Sequence, residues 1–174
     1  MHYKYFGQLE EYYILNYHEI TYVKDPSLIY ELDLSGGQIS ELPEEFFNNL
    51  TNLEILDLSV NQLKSLPQNI FRKLKKLHYL NLGFNKLSQL PEKIFILNKN
   101  LKEVYLNNNL LSMIKPTIFI NTKKLKYVYL NNNKINILEN VTFCNLPLLE
   151  VIDLSYNKLT NLDKDIFKYN TQLQ

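Results

Sequence analysis

Apolar residues recur along this chain with a period of 24 positions. In residues 53–76, leucine occupies the first, fourth, sixth, eleventh and fourteenth positions, and Ile70, Phe71 and Leu74 follow. The same spacing begins again at each unit boundary without an insertion. The pattern therefore predicts six repeats, which span residues 29–52, 53–76, 77–100, 101–124, 125–148 and 149–172.

The first six positions of each repeat predict a short β-strand. Leu56 and Leu58 alternate with Ile55 and Asp57, which is the spacing of a strand with one buried face. A unit of this length cannot enclose a core alone, so neighbouring units must stack and bury the same face. Their strands would then form a parallel sheet. The equivalent inward residues are Leu32, Leu34, Leu80, Leu82, Val104, Leu106, Val128, Leu130, Ile152 and Leu154.

The ninth position of the repeat predicts a buried polar ladder. It is asparagine in every repeat except the first, which has Gly37 there. A polar group among core leucines is costly unless it is hydrogen-bonded, and an amide can both donate to and accept from the backbone where a strand turns. We therefore predict a structural ladder made of Asn61, Asn85, Asn109, Asn133 and Asn157.

Phenylalanine occupies the nineteenth position of all six repeats, which predicts an aromatic column in the core. Prolines follow the inward leucines of the first three repeats and recur at Pro116 in the fourth. Because proline interrupts helices, we expect the side opposite the sheet to consist of turns, extended chain and short 3₁₀ segments. The column comprises Phe47, Phe71, Phe95, Phe119, Phe143 and Phe167.

The consensus of residues 53–76, LxxLxLxxNxLxxLPxxIFxxLxx, resembles the leucine-rich repeat family, specifically the 24-residue class found in extracellular receptor and adhesion proteins. The resemblance covers residues 29–172. It implies an α/β solenoid, a right-handed horseshoe with a parallel β-sheet on its concave face and a mostly irregular or 3₁₀ convex side. It also implies a module that binds a protein or peptide ligand.

The two ends of the chain depart from the repeat. Residues 1–28 lie outside it, and the alternation from Ile14 to Val23 predicts a hairpin-like N-terminal cap, which in this chain has no cysteine. Leu173 begins what would be a seventh repeat, and residue 174 is the last. We therefore expect domain 29–174 to lack a C-terminal cap and to offer its last coil for self-association.

Composition narrows the chemistry. The net charge is +1, which gives no electrostatic argument for a nucleic acid ligand. No apolar run reaches the length that spans a membrane, so we expect no insertion by this segment. A single cysteine, Cys144, excludes an intrachain disulfide, and three histidines with four glycines provide little for a metal site or a phosphate-binding loop. We predict no catalytic residue, no metal and no cofactor.

The outward strand positions contain the candidate binding residues. Tyrosines recur on neighbouring strands, and tyrosine is enriched where proteins bind one another. The alternative is that aromatic side chains simply suit strands in a tyrosine-rich chain. The predicted concave binding face consists of Ile55, Asp57, Tyr79, Phe84, Tyr105, Tyr127, Tyr129 and Tyr156.

Three functional hypotheses follow from the sequence. The first is a non-enzymatic protein-binding module like receptor or adhesion ectodomains. The second is an intracellular regulatory protein or a host-directed effector, which the scarcity of cysteine favours. The third is a repeat fragment of a larger receptor or enzyme. The repeat class favours an extracellular location and the cysteine content a cytoplasmic one, so the compartment stays open.

Overall fold

The computed structural model describes two short N-terminal strands, 12–15 and 20–23, and residues 25–174. The strands β1 (Tyr12–Leu15) and β2 (Ile20–Val23) form an antiparallel pair of their own. Residues 1–11, 16–19 and 24 of the predicted N-terminal cap lie outside the described residues. The capping role of this segment stays a prediction.

A six-stranded parallel sheet runs the length of the repeats, in the strand order of the sequence. Each strand is three residues long, and each residue pairs with the residue 24 positions later, as Leu56 pairs with Leu80. The sequence period is therefore the spatial period of the sheet. The strands are β3 (Glu31–Asp33), β4 (Ile55–Asp57), β5 (Tyr79–Asn81), β6 (Glu103–Tyr105), β7 (Tyr127–Tyr129) and β8 (Val151–Asp153).

The core lies directly behind this sheet. The central residue of each strand from β3 to β7 is buried between two more exposed neighbours, and Leu56, Leu80 and Val104 have no exposed surface. Burying such a side chain contributes about 1.5–3 kcal/mol. Repetition of this burial in the first five repeats stabilises a chain whose single units cannot fold alone.

The predicted phenylalanine column is present behind the core leucines. Neighbouring rings lie 5.7–6.4 Å apart between centroids, and most of them stack with nearly parallel planes. The first five rings are fully buried, whereas Phe167 is only partly buried. Offset-stacked aromatic pairs contribute beyond their buried area, so the column links each repeat to the next.

The convex side is built from turns and 3₁₀ helices. The 3₁₀ helices η1 (Pro26–Leu28) and η2 (Pro116–Phe119) each begin with proline, whose missing N–H is not needed at that position. The part of the chain that the structure describes contains no α-helix. The prediction of a parallel-sheet solenoid with an irregular or 3₁₀ convex side is confirmed.

The last repeat packs less completely than the others. All three residues of β8 are half-buried, and Ile152, Leu154 and Leu159 only partly enter the core. Within the described residues, β8 has a neighbouring strand on one side only. Self-association through this coil stays a prediction.

Candidate binding face

The asparagines of the ninth position hold the turn that follows each strand. The Asn85 Nδ2 donates to the carbonyls of Leu58 and Leu82, at 2.9 and 3.1 Å, and its Oδ1 accepts from the Leu63 N–H at 3.0 Å. Equivalent bonds to the preceding repeat recur at Asn61, Asn109, Asn133 and Asn157. The ladder thus holds the turn after each strand to the corresponding turn of the preceding repeat.

The residue before each ladder asparagine adopts a left-handed backbone. Val60, Phe84 and Tyr156 have φ between 53° and 55°, and Asn108 and Asn132 have the same conformation. This region disfavours bulky and β-branched side chains. The turn leaves Phe84 56% exposed and Tyr156 80% exposed. Phe84 and Tyr156, both predicted binding residues, therefore lie along the edge where the strands end and not on the outward face of the strands.

Three of the predicted tyrosines form one stack on the outward face of the sheet. The rings of Tyr105 and Tyr129, which are register partners on β6 and β7, lie 4.5 Å apart at 11°. The Tyr79 ring contacts Tyr105 on the other side, at 5.3 Å and 43°. Burial is the first cause that raises the pKa of Tyr79 and of Tyr105 above the ordinary tyrosine value. We call Tyr79, Tyr105 and Tyr129 the tyrosine stack.

Glu103 lies on β6 beside the tyrosine stack, between Tyr79 and Tyr127 in the register. The Tyr105 hydroxyl donates to its Oε2 at 3.2 Å. After burial, the charge of Glu103 is the next cause that raises the pKa of Tyr105. This carboxylate makes no ion pair with any residue that the structure describes.

Tyr127 is separate from the tyrosine stack. Its hydroxyl donates to Glu150 Oε2 at 2.6 Å, and Lys126 forms an ion pair with the other oxygen of the same carboxylate. The hydrogen bond from Lys126 lowers the pKa of Glu150, and the hydrogen bond to Glu150 raises the pKa of Tyr127. Of the five predicted tyrosines, three therefore form the stack, Tyr127 is held beside it, and Tyr156 lies at the edge of the sheet.

Asp57 has local bonds on both carboxylate oxygens. Its Oδ1 accepts from the Ser59 N–H at 2.7 Å, and its Oδ2 accepts from the Asn81 amide at 3.0 Å. Asp33 and Asp153 hold the N–H two residues later in the same way. These aspartates at the fifth repeat position thus hold the turn that follows the strand, and they also place negative charge on the outward face of the sheet. Ile55 lies beside Tyr79 in the register and is half-buried.

Sequence reasoning missed two buried amides at the twenty-second position, where other repeats have leucine or threonine. Asn98 Nδ2 donates to the carbonyls of Phe71 and Leu74 in the preceding repeat, and Asn170 repeats this arrangement with Phe143 and Leu146. Both side chains are at least 96% buried. The available signal was the replacement of leucine by asparagine at a core position.

Within the described residues, the structure does not bring the reactive side chains Cys144 and His78 together. Cys144 is a half-buried free thiol on the convex side. The His78 Nδ1 lies 3.8 Å from Glu54 at the flank of the sheet. Within residues 25–174 and the two N-terminal strands, no cluster of three or more His, Cys, Asp or Glu side chains could hold a metal ion.

The family model for the leucine rich repeat matches residues 27–94 and 99–159. This match covers most of the chain and coincides with the repeats whose strands form the sheet. The chain therefore belongs to the leucine-rich repeat family, as its sequence pattern suggested. A search of curated proteins gave no match.

Solved structures similar to this chain include one leucine-rich repeat domain and two complexes, one of which is described as a hub in development and innate immunity. The leucine-rich repeat domain of APL1B is 29% identical over 74% of this chain and 38% of its own, with a TM-score of 0.70. The Toll–Spatzle complex from Drosophila is 26% identical, covering 82% and 20%, with a TM-score of 0.76. The TLR13–ssRNA13 complex is 32% identical, covering 79% and 19%, with a TM-score of 0.71. This chain thus spans less than half of each matched chain.

None of the helices that the structure describes is long and apolar enough to cross a membrane.

Proposed function

We propose that this chain is a non-enzymatic module that binds a protein or peptide on its concave face. The observation that carries the proposal is the tyrosine stack, three half-buried rings in contact at the centre of the sheet. Rigid aromatic side chains near the centre of a surface are the residues that dominate binding energies. Phe84 and Tyr156 add two exposed aromatic side chains at the edge of the sheet.

The similar structures contain two classes of ligand, since Toll is bound to Spatzle and TLR13 to single-stranded RNA. Fold alone does not choose between them. The third and fifth positions of the repeats are the two outward positions of each strand, and they carry acids and no base. This favours a protein over an RNA ligand, because phosphate binding needs cations. These acids are Glu31, Asp33, Asp57, Glu103 and Asp153.

A display library of random peptides, selected on the wild-type protein, tests the proposal. Peptides that bind the concave face should lose about 2 kcal/mol or more of binding energy with Tyr105→Ala or Tyr129→Ala. Tyr169→Ala is the matched control, because Tyr169 is 59% exposed in a turn of the last repeat, outside the sheet. Selected peptides that tolerate both concave substitutions would contradict the proposal.

A thermal melt of each variant separates binding from folding. The stacked rings contribute about 0.5–1.5 kcal/mol per pair beyond their buried area, so Tyr105→Ala should cost some stability. Loss of binding by a variant that stays folded at the assay temperature supports a recognition role. Equal loss of binding and of folded protein would show that the rings only stabilise the sheet.

A further inference from the structure

Tyr129 is one of the two end rings of the tyrosine stack, and its outer face has no aromatic or cationic neighbour among the described residues. Tyr105 is covered by Tyr129 on one side and by Tyr79 on the other. Tyr129 contacts a ring only on its Tyr105 side, and the single cation–π contact in the described chain lies elsewhere, at Tyr169. The stacked rings follow one another from strand to strand across the sheet. The outer face of Tyr129 therefore points toward β8, the next strand.

The residue of β8 that is paired with Tyr129 in the sheet register is an acid. Asp153 is the register partner of Tyr129, and neighbouring strands lie about 4.8 Å apart. Asp153 Oδ1 accepts from the Ser155 N–H at 2.9 Å, which holds the short side chain close to its own turn. No described residue donates to Oδ2 or forms an ion pair with this carboxylate. A carboxylate oxygen without a described partner thus lies on the strand next to Tyr129, whose outer face has no described aromatic or cationic neighbour.

The chemistry of the missing neighbour follows from these two groups. A guanidinium is planar, stacks on aromatic faces and donates to carboxylates in a fixed geometry, whereas an ammonium does not stack. The other acids at the third and fifth positions of the repeats add negative potential along the same face. This negative potential would repel an anionic ligand.

We propose that Tyr129 and Asp153 form a subsite for an arginine side chain, so that the protein ligand presents an arginine to the concave face. This subsite deepens the proposed function and rests on it. The guanidinium stacks as the next plane after Tyr129 and donates to Asp153 Oδ2. The remainder of the ligand then lies across the tyrosine stack toward Glu103.

Short peptides of defined sequence test the subsite without knowledge of the natural ligand. The probe is acetyl-Gly-Gly-Arg-Gly-Gly-amide, and its control replaces arginine with citrulline, which has nearly the same shape and no charge. Titrations are followed by NMR at the Tyr129 ring and the Ser155 amide. The arginine peptide should bind about threefold to fivefold more tightly than the citrulline peptide, and added salt should reduce the difference.

Two isosteric substitutions assign the effect to one carboxylate. Asp153→Asn keeps an acceptor for the Ser155 N–H and removes the charge, so it should abolish the preference for arginine over citrulline. Asp33→Asn is the matched control, because Asp33 occupies the same repeat position on β3 and accepts from Ser35 in the same way. It should leave the preference unchanged. Tyr129→Phe should retain binding, whereas Tyr129→Leu should lose the aromatic contribution.

The outcomes that overturn the subsite differ from those that overturn the proposed function. Equal binding of the arginine and citrulline peptides, or equal effects of Asp33→Asn and Asp153→Asn, overturns the subsite. The subsite is also overturned if the oligonucleotide r(U)10 binds more tightly than the arginine peptide in a titration followed at the same NMR signals. Selected peptides that need Tyr105 but contain no arginine overturn the subsite and leave the proposed function standing. Absence of any peptide that depends on the concave face overturns the function itself.

Discussion

Replacement of the central ladder residue Asn109 by alanine tests how the ladder stabilises the solenoid. Asn109 is 5% exposed, and its Oδ1 is the acceptor for the Leu87 N–H at 2.9 Å. That N–H has no other acceptor in the described structure. An unsatisfied buried donor costs about 1–3 kcal/mol.

The donor side of the same amide contributes less, because its acceptors have second partners. The Leu82 carbonyl also accepts from Asn85, and the Leu106 carbonyl also accepts from Asn133. The Asn107 carbonyl, which accepts from the same amide at 3.3 Å, also has a backbone N–H as its second partner. Alanine at position 109 therefore leaves one buried N–H without an acceptor and removes one of two donors from three carbonyls. We expect Asn109→Ala to reduce the free energy of unfolding by about 2–3 kcal/mol.

The first rung of the ladder should be more costly to remove than the central one. Asn61 Oδ1 accepts from the Ile39 N–H, and its Nδ2 is the only donor to the Leu34 carbonyl among the described residues, since position 37 is glycine. Asn61→Ala thus orphans two buried groups instead of one. We expect it to cost about 1 kcal/mol more than Asn109→Ala.

Urea denaturation of the variants measures these differences, and hydrogen exchange of the Leu87 amide reports the orphaned group directly. Asn107→Ala is the matched control, because its side-chain amide makes no hydrogen bond to the described residues and lies two positions away. It should change stability by less than about 0.5 kcal/mol. Equal effects of Asn107→Ala and Asn109→Ala would show that the loss of stability does not come from the hydrogen bonds of the Asn109 side chain.

The remaining predictions concern the column, the edge turns and the tyrosine stack. Phe95→Ala should cost about 3–5 kcal/mol in urea denaturation and Phe167→Ala less, since Phe167 is only partly buried; equal costs would contradict the one-sided packing of the last ring. Val60→Asn should raise the melting temperature by relieving the left-handed strain at φ 55°, as Asn108 already does in its repeat, and a fall would show that the Val60 side chain packs usefully. Because the pKa of Tyr105 is raised in the folded state, its stabilising contribution is present below about pH 10 and is lost as the pH rises beyond it; the alkaline loss of stability, followed by the urea midpoint, should be smaller in Tyr105→Phe, and identical profiles would contradict the shift.

The candidate site was only partly predictable from the sequence. Alternation on strands indicated that Tyr79, Tyr105 and Tyr129 point away from the core, and they do. It did not indicate that Tyr127 turns to Glu150, because that partner belongs to the next repeat, at a different repeat position, immediately before β8. The two local bonds of Asp57 likewise depend on the turn that follows its strand.

The sequence by itself determined the solenoid. A period of 24 residues with no insertion requires one repeated coil, because each unit must bury the same face against the next. The tertiary structure decided what each coil presents outward. Side-chain directions on the face depend on contacts between strands. The Tyr105–Tyr129 stack, and the position of Asp153 on the strand next to its end ring, therefore emerge only when the repeats are brought into register.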